Sequence, residues 1–164
     1  MPFQSGKKYF LTGIDWFVHL FDYMASKATG VGNLFQIVAE LDGEIHVDEL
    51  RDCLDQIHRQ NPILIGRIKR SLNLAPYYKP VHLSGNHANW LQVQSAKNES
   101  EAYEQIKVLA NTPLANKYQR LEFVLINSPG SCKLIMRCDH HLFDARGAEA
   151  FLYKIHCLWK GKPL

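Results

Sequence analysis

Residues 138–147, CDHHLFDARG, place two adjacent histidines at the end of an apolar run, with an aspartate three residues after the second. Successive side chains on a strand point to opposite faces, so His140 and His141 diverge if the strand continues through them. Divergent imidazoles cannot both bind one metal ion, and the pattern therefore predicts no metal site. A single imidazole at a strand end has a pKa near neutrality and can act as a general base.

A general base needs its ring held in one orientation, and Asp144 follows closely enough to contribute. Gly147 predicts a tight entry into a helix, so the intervening turn could return the carboxylate to the strand end. The carboxylate could then hold the ring directly, or hold the loop through an arginine. The same residues also allow a structural interpretation, in which the histidines end a strand and Asp144 caps the next helix. Spacing alone favours the structural interpretation.

Composition excludes several classes of protein. The 164 residues suffice for one domain, and 46% hydrophobic with 21% charged residues is typical of a globular chain. The net charge is only +3 and the basic residues are scattered, so we expect no nucleic-acid partner. The sequence has neither an apolar stretch of membrane-spanning length nor a secretion signal. Four cysteines without CxxC spacing favour reduced thiols in a cytoplasmic protein.

The elements that would position the motif follow from hydrophobic periodicity. Helices are predicted over 12–26, 46–60, 99–111 and 146–161, and strands over 34–43, 63–71 and 90–96. Two apolar runs within 118–141 are joined by Ser128-Pro129-Gly130-Ser131, which indicates a hairpin. Residues 74–89 are expected to form a loop with a short extended piece. This order predicts a single α/β (α+β) domain over 1–164, with a mixed, largely antiparallel sheet covered by helices on one face.

The stretch HHLFDARG resembles the His-His-x-x-x-Asp-Gly signature of the chloramphenicol acetyltransferase-like superfamily, although Ala145 stands where the glycine is expected. The superfamily includes condensation domains of nonribosomal peptide synthetases and CoA-dependent O-acyltransferases. Residues 12–16, 48–68 and 110–126 are similar to other family segments in the same order. The resemblance therefore covers the whole chain.

The resemblance implies an acyltransferase with a role for each motif residue. His141 would be the general base that deprotonates a hydroxyl or amine for attack on an acyl thioester, and His140 would take no direct chemical step. Asp144 would hold the loop by pairing with an arginine, and Gly147 would allow the close turn into the last helix. The candidate arginines are Arg67, Arg120 and Arg137. The remaining histidines, such as His19, are isolated and are expected to be surface or core residues.

The resemblance also implies that the chain is the N-terminal lobe of a two-lobed fold, inactive without its C-terminal partner lobe. The donor would be acyl-CoA or acyl-phosphopantetheine on a carrier protein, used as a substrate, with no bound cofactor. An exposed lobe face could also pair with a second copy of the chain. The alternative is a non-catalytic relative that serves as a binding or scaffold module, which Ala145 and Ile65 favour because glycine and arginine are expected there.

Overall fold

The computed structural model describes residues 8–42, 45–81, 90–116 and 118–161. The helices are α1 (Gly13–Thr29), α2 (Val47–Gln60), α3 (Glu99–Ala110) and α4 (Ala145–Trp159). The strands are β1 (Tyr9–Phe10), β2 (Leu34–Leu41), β3 (Gly66–Arg70), β4 (Pro76–Pro80), β5 (Leu91–Ser95), β6 (Leu121–Ser128) and β7 (Ser131–Asp139). A short 3-10 helix, Pro62–Leu64, follows α2.

A four-stranded sheet in the order β2-β7-β6-β5 forms the centre of the domain. β5 runs parallel to β6, whereas β7 is antiparallel to both β6 and β2. The predicted hairpin is confirmed, since β6 and β7 meet at the pair Ser128 and Ser131. Gly130 between them has a φ of 79°, a conformation that glycine adopts without steric cost. The expected mixed, largely antiparallel α/β architecture is therefore confirmed.

Helices cover both faces of this sheet. On one face, Phe123, Leu125 and Met136 pack with apolar residues of α2 and α4. On the other face, Val124 and Ile135 pack with residues of α3. The expectation of helices on one face is wrong, because the hairpin strands carry apolar side chains on both faces and each face needs cover.

A second sheet of three strands, in the order β1-β4-β3, lies beside the first. Its strand β4 is the extended piece expected within 74–89, of which residues 82–89 lie outside the described residues. A Cβ added to Gly66 would lie 2.5 Å from the Tyr78 ring, so glycine lets the ring pack against β3. An isolated bridge between Ile65 and Gln119 connects this sheet to the segment that enters β6.

The first helix, α1, lies on the surface. It begins at a capping box, in which Thr12 N donates to Asp15 Oδ2 at 2.7 Å. None of its residues is buried. Large apolar side chains are exposed along it: Ile14, Phe17, Leu20, Phe21, Tyr23 and Met24. Among the described residues, α1 therefore makes few packing contacts, and its apolar face is not covered by them.

Two expectations about the whole chain bear on its chemistry. All four cysteines are free thiols, as the sequence predicts. Among the residues that the structure describes, no helix has the length and apolar character that crossing a bilayer requires.

Candidate functional site

The histidine pair lies where the central strands of the large sheet end. β7 stops at Asp139, whose backbone N–H donates to Arg120 O at 3.0 Å just before β6 begins. The chain then turns, and Leu142 N donates to Asp139 O at 3.0 Å. His140 and His141 therefore occupy a tight turn beyond the strand, on a rigid platform of two paired strands.

Asp139 holds the His141 ring. Its Oδ1 accepts a hydrogen bond from His141 N at 2.9 Å and contacts ring Nδ1. An ionised carboxylate only accepts hydrogen bonds, so Nδ1 carries the proton and Nε2 of a neutral ring carries the lone pair. The two side chains are only 4% and 6% exposed. His141 Nε2 is buried and has no hydrogen-bond partner among the described residues.

Arg120 keeps Asp139 ionised. Its Nη1 lies 2.6 Å from Asp139 Oδ2, on the opposite side of the carboxylate from His141. Burial alone would raise the pKa of Asp139, but the hydrogen bond from His141 and the Arg120 charge outweigh burial and lower it. The guanidinium also lies 6.0 Å from the centre of the Tyr78 ring. Arg120, Asp139 and His141 thus form a connected row that ends at Nε2.

Helix α1 brings two further polar side chains to the His141 end of this row. The His19 ring lies 5.4 Å from the His141 ring, and His19 Nδ1 is buried without a partner in the part of the chain that the structure describes. Asp22, one turn later, accepts a hydrogen bond from Asn33 N at 2.7 Å. Burial and the nearby His141 lower the pKa of His19. The expectation that His19 is an isolated surface or satisfied core residue is therefore wrong, because the fold packs it beside the candidate base.

His140 faces a different environment from His141. It is exposed, its ring centre lies 4.5 Å from that of Phe35, and its backbone N–H donates to Asn33 O at 3.3 Å. These contacts anchor the turn to the start of β2. They give His140 a packing role beside the basic atom.

Asp144 lies at the start of α4. Its Oδ1 accepts a hydrogen bond from Gly147 N at 2.6 Å, which caps the helix. A Cβ on Gly147 would approach this oxygen to 3.0 Å, so glycine allows the close contact. Asp144 therefore steadies the loop after the histidines through a helix cap.

The three candidate arginines have other partners. Arg120 pairs with Asp139, and Arg137 pairs with Glu122 across the inner strands. The Arg67 guanidinium lies 5.9 Å from the centre of the Tyr118 ring. Among the described residues, Asp144 forms no ion pair with any of the three arginines; its carboxylate caps α4 instead, and Arg120 pairs with Asp139.

Sequence reasoning missed Asp139, although the chain carries a signal for it. An aspartate whose side chain accepts the N–H of the residue two positions later forms an Asx-turn, and such turns are common where strands end. Asp139 stands two residues before His141 in CDHH. By contrast, nothing local indicates that His19 and Asp22 approach this turn, because their position depends on the packing of α1.

Comparison with known proteins shows a similarity in fold. No protein-family model matches the chain, and no curated protein matches its sequence. Solved structures of condensation domains do match it, at sequence identities that support an argument about the fold alone.

The first condensation domain of the calcium-dependent antibiotic synthetase, in complex with a substrate analogue, matches with a TM-score of 0.74 and 17% identity, over 98% of this chain and 41% of that one. The starter condensation domain of the rhizomide synthetase RzmA matches with a TM-score of 0.73 and 13% identity, over 94% and 37%. A variant of that domain in complex with C8-CoA matches with a TM-score of 0.70 and 16% identity, over 93% of this chain and 35% of that one. The chain thus spans well under half the length of these structures and has the fold of one lobe of a condensation domain.

Proposed function

We propose that this chain is the base-bearing lobe of an acyltransferase, which moves an acyl group from a thioester to a hydroxyl or amine. The observation that carries the proposal is His141 Nε2, a buried atom without a partner among the described residues, whose ring is fixed by Asp139. The condensation-domain fold supports the proposal, since a solved domain with this fold is in complex with C8-CoA.

The chemistry starts from the neutral imidazole. Nε2 accepts the proton of the acceptor group as its oxygen or nitrogen attacks the thioester carbonyl carbon. The carbon–sulfur bond then breaks, and the imidazolium returns the proton to the leaving sulfur. Asp139 stabilises the imidazolium formed in between, and the Arg120 ion pair keeps Asp139 charged throughout. Base catalysis of this kind contributes about 10²–10⁴-fold to a rate.

A second lobe would supply the rest of the site. Acyl transfer also needs groups that position the donor and stabilise the developing oxyanion. The exposed apolar face of α1 gives such a lobe a surface to cover. Nε2 is shielded beside His19, so the acceptor reaches it when α1 shifts. No residue of α1 is fully buried, so we expect such a shift to disrupt little packing.

The test is a substitution in a reading frame that joins this chain to the C-terminal lobe that the proposal requires. His141→Ala is expected to lower acyl transfer from acyl-CoA or an acyl carrier protein by about 10²-fold or more. His140→Ala is the matched control, since its exposed ring packs on Phe35, and we expect near wild-type turnover. Circular dichroism of both variants checks folding.

The results also separate the enzyme from the scaffold module. Wild-type rates in His141→Ala would exclude His141 as the base. If no acyl transfer were found with either donor, the non-catalytic module would be favoured. A comparison of the two donors as substrates of the wild-type protein identifies the carrier of the acyl group.

A further inference from the structure

His19, Asp22 and His141 converge at the contact between α1 and the turn after β7. Each residue offers one ligand atom, and these atoms lie within 4.8 Å of one another. Two imidazoles and one carboxylate are a ligand set that suits Zn²⁺ and related divalent transition metals. We propose that these three side chains form a binding site for a divalent transition-metal ion.

The unpartnered nitrogens are the first argument. Within residues 8–42, 45–81, 90–116 and 118–161, neither His19 Nδ1 nor His141 Nε2 has a hydrogen-bond partner, although both atoms are buried and their rings are 5.4 Å apart. Burying a polar atom without a partner is costly, and a metal ion between the rings removes that cost at both atoms. The His141 side chain is 94% buried, and His19 and Asp22 are half-buried, so the cluster lies at the edge of the fold with one enclosed ligand.

The supporting hydrogen bonds are the second argument. Metal-binding histidines usually donate their other ring nitrogen to a carboxylate, which fixes the tautomer and orients the lone pair. Asp139 does this for His141 and is itself held by Arg120. Asn33 N orients the Asp22 carboxylate in the same way. Two of the three ligands therefore already have outer partners.

The ligand spacing requires only a small closure. Zinc–nitrogen bonds are about 2.0–2.1 Å long, so ligand atoms around one ion lie closer together than those of the open cluster. His19 and Asp22 are one turn apart on α1, and they move together when this weakly held helix approaches the turn. Three protein ligands leave a fourth position for water or another ligand.

Binding at this site would have a chemical consequence. The ion takes the Nε2 lone pair that the proposed acyl transfer requires, so bound metal would inhibit that reaction. This consequence rests on the proposed function, whereas metal binding itself does not. The two can therefore be tested separately.

The experiment uses the untagged 164-residue chain. Zn²⁺ binding is measured by isothermal titration calorimetry, and Co²⁺ binding by visible absorption spectroscopy. We expect one ion per chain and the intense absorption of tetrahedral Co²⁺. Each of the variants His19→Ala, Asp22→Asn and His141→Ala should weaken Zn²⁺ binding at least about 10-fold. In other metal sites, the loss of a residue that only supports a ligand already weakens metal affinity by about this much. His46→Ala and His156→Ala are the controls, because both histidines are exposed and lie outside the cluster; they should bind as the wild type does.

Asp139→Asn provides a second measurement, since it removes a supporting carboxylate and no ligand. We expect Zn²⁺ affinity to fall about 10–100-fold. The absence of one-to-one binding by the wild type would overturn the proposal, as would unchanged affinity in folded His19→Ala or Asp22→Asn. No acyl donor is present, so either result leaves the proposed acyl transfer to its own test.

Discussion

Asp139 Oδ1 accepts two hydrogen bonds from His141, one from the backbone N–H and one from ring Nδ1. The backbone bond shapes the turn after β7, and the ring bond decides which nitrogen carries the proton. One carboxylate can do both because it stands two residues before the histidine. The orientation of the candidate base is therefore encoded within three consecutive residues, at the end of a strand whose position the sheet fixes.

Asp139→Asn should change the tautomer of His141. The asparagine amide can donate to Nδ1, which favours the form with the proton on Nε2 and removes the basic lone pair from the site. We expect ¹⁵N NMR of the imidazole to show a larger share of that form. If the chain acts with a second lobe as an acyltransferase, as proposed, turnover should fall about 10²-fold or more.

Asp144→Asn is the matched control for this change, because Asp144 lies in the following loop and has no contact with the ring in the hydrogen-bond network described above. Its imidazole ¹⁵N signals should equal those of the wild type. If Asp139→Asn also left them unchanged, Asp139 would have no part in setting the tautomer.

Asp144→Ala should reduce stability through the loss of a helix cap. The Asp144 carboxylate accepts from Gly147 N at 2.6 Å, and alanine at an N-cap costs about 0.5–2 kcal/mol. Asparagine caps helices as well as aspartate does, so Asp144→Asn should retain most of the free energy of unfolding. Urea denaturation of both variants measures the difference. Equal losses for alanine and asparagine would point to a role for the negative charge beyond the cap.

Arg137→Met should destabilise the centre of the sheet. Arg137 and Glu122 form an ion pair in which the side chains are 3% and 1% exposed. Removing one partner leaves a buried charge unpaired, which costs about 3–5 kcal/mol. The free energy of unfolding in urea should fall by that amount. Combining Arg137→Met with Glu122→Gln should recover much of the loss, and a double variant as unstable as the single one would contradict this account.

The local elements could be predicted from the sequence because local patterns determine them. The 128–131 turn and the amphipathic helices follow from glycine, proline and apolar spacing, and the structure contains them. The three-stranded sheet was harder to foresee, since β4 begins and ends with proline and pairs with the very short β1. The position of this sheet depends on tertiary contacts, such as that of the Tyr78 ring with Gly66, which local sequence patterns do not predict.

The candidate site divides in the same way. His140 and His141 stand out because of their adjacency at the end of an apolar run, and the turn that contains them is local. The approach of His19 to His141 is a tertiary contact between two distant segments, and single-sequence periodicity carries no information about it. The aspartate assigned by motif resemblance was Asp144, whereas the side chain in contact with the ring belongs to Asp139.

Stability should fall as the pH drops below the ordinary histidine pKa of 6.5, and His19 should account for part of the fall. Burial and the nearby His141 lower the pKa of folded His19, with Arg120 acting in the same direction and Asp22 and Asp139 opposing it. At a pH between the lowered pKa of folded His19 and 6.5, the unfolded chain binds more protons at this residue than the folded chain does, so lowering the pH favours unfolding. Above pH 6.5 His19 is neutral in both states and contributes no pH dependence to stability. His19→Gln should therefore show a smaller difference between urea midpoints at about pH 7.5 and about pH 5.5, measured with a chelator present. The control is His156→Gln, which changes an exposed histidine and should keep the wild-type difference between the two urea midpoints. If His19→Gln also kept that difference, His19 would not be buried in its neutral form.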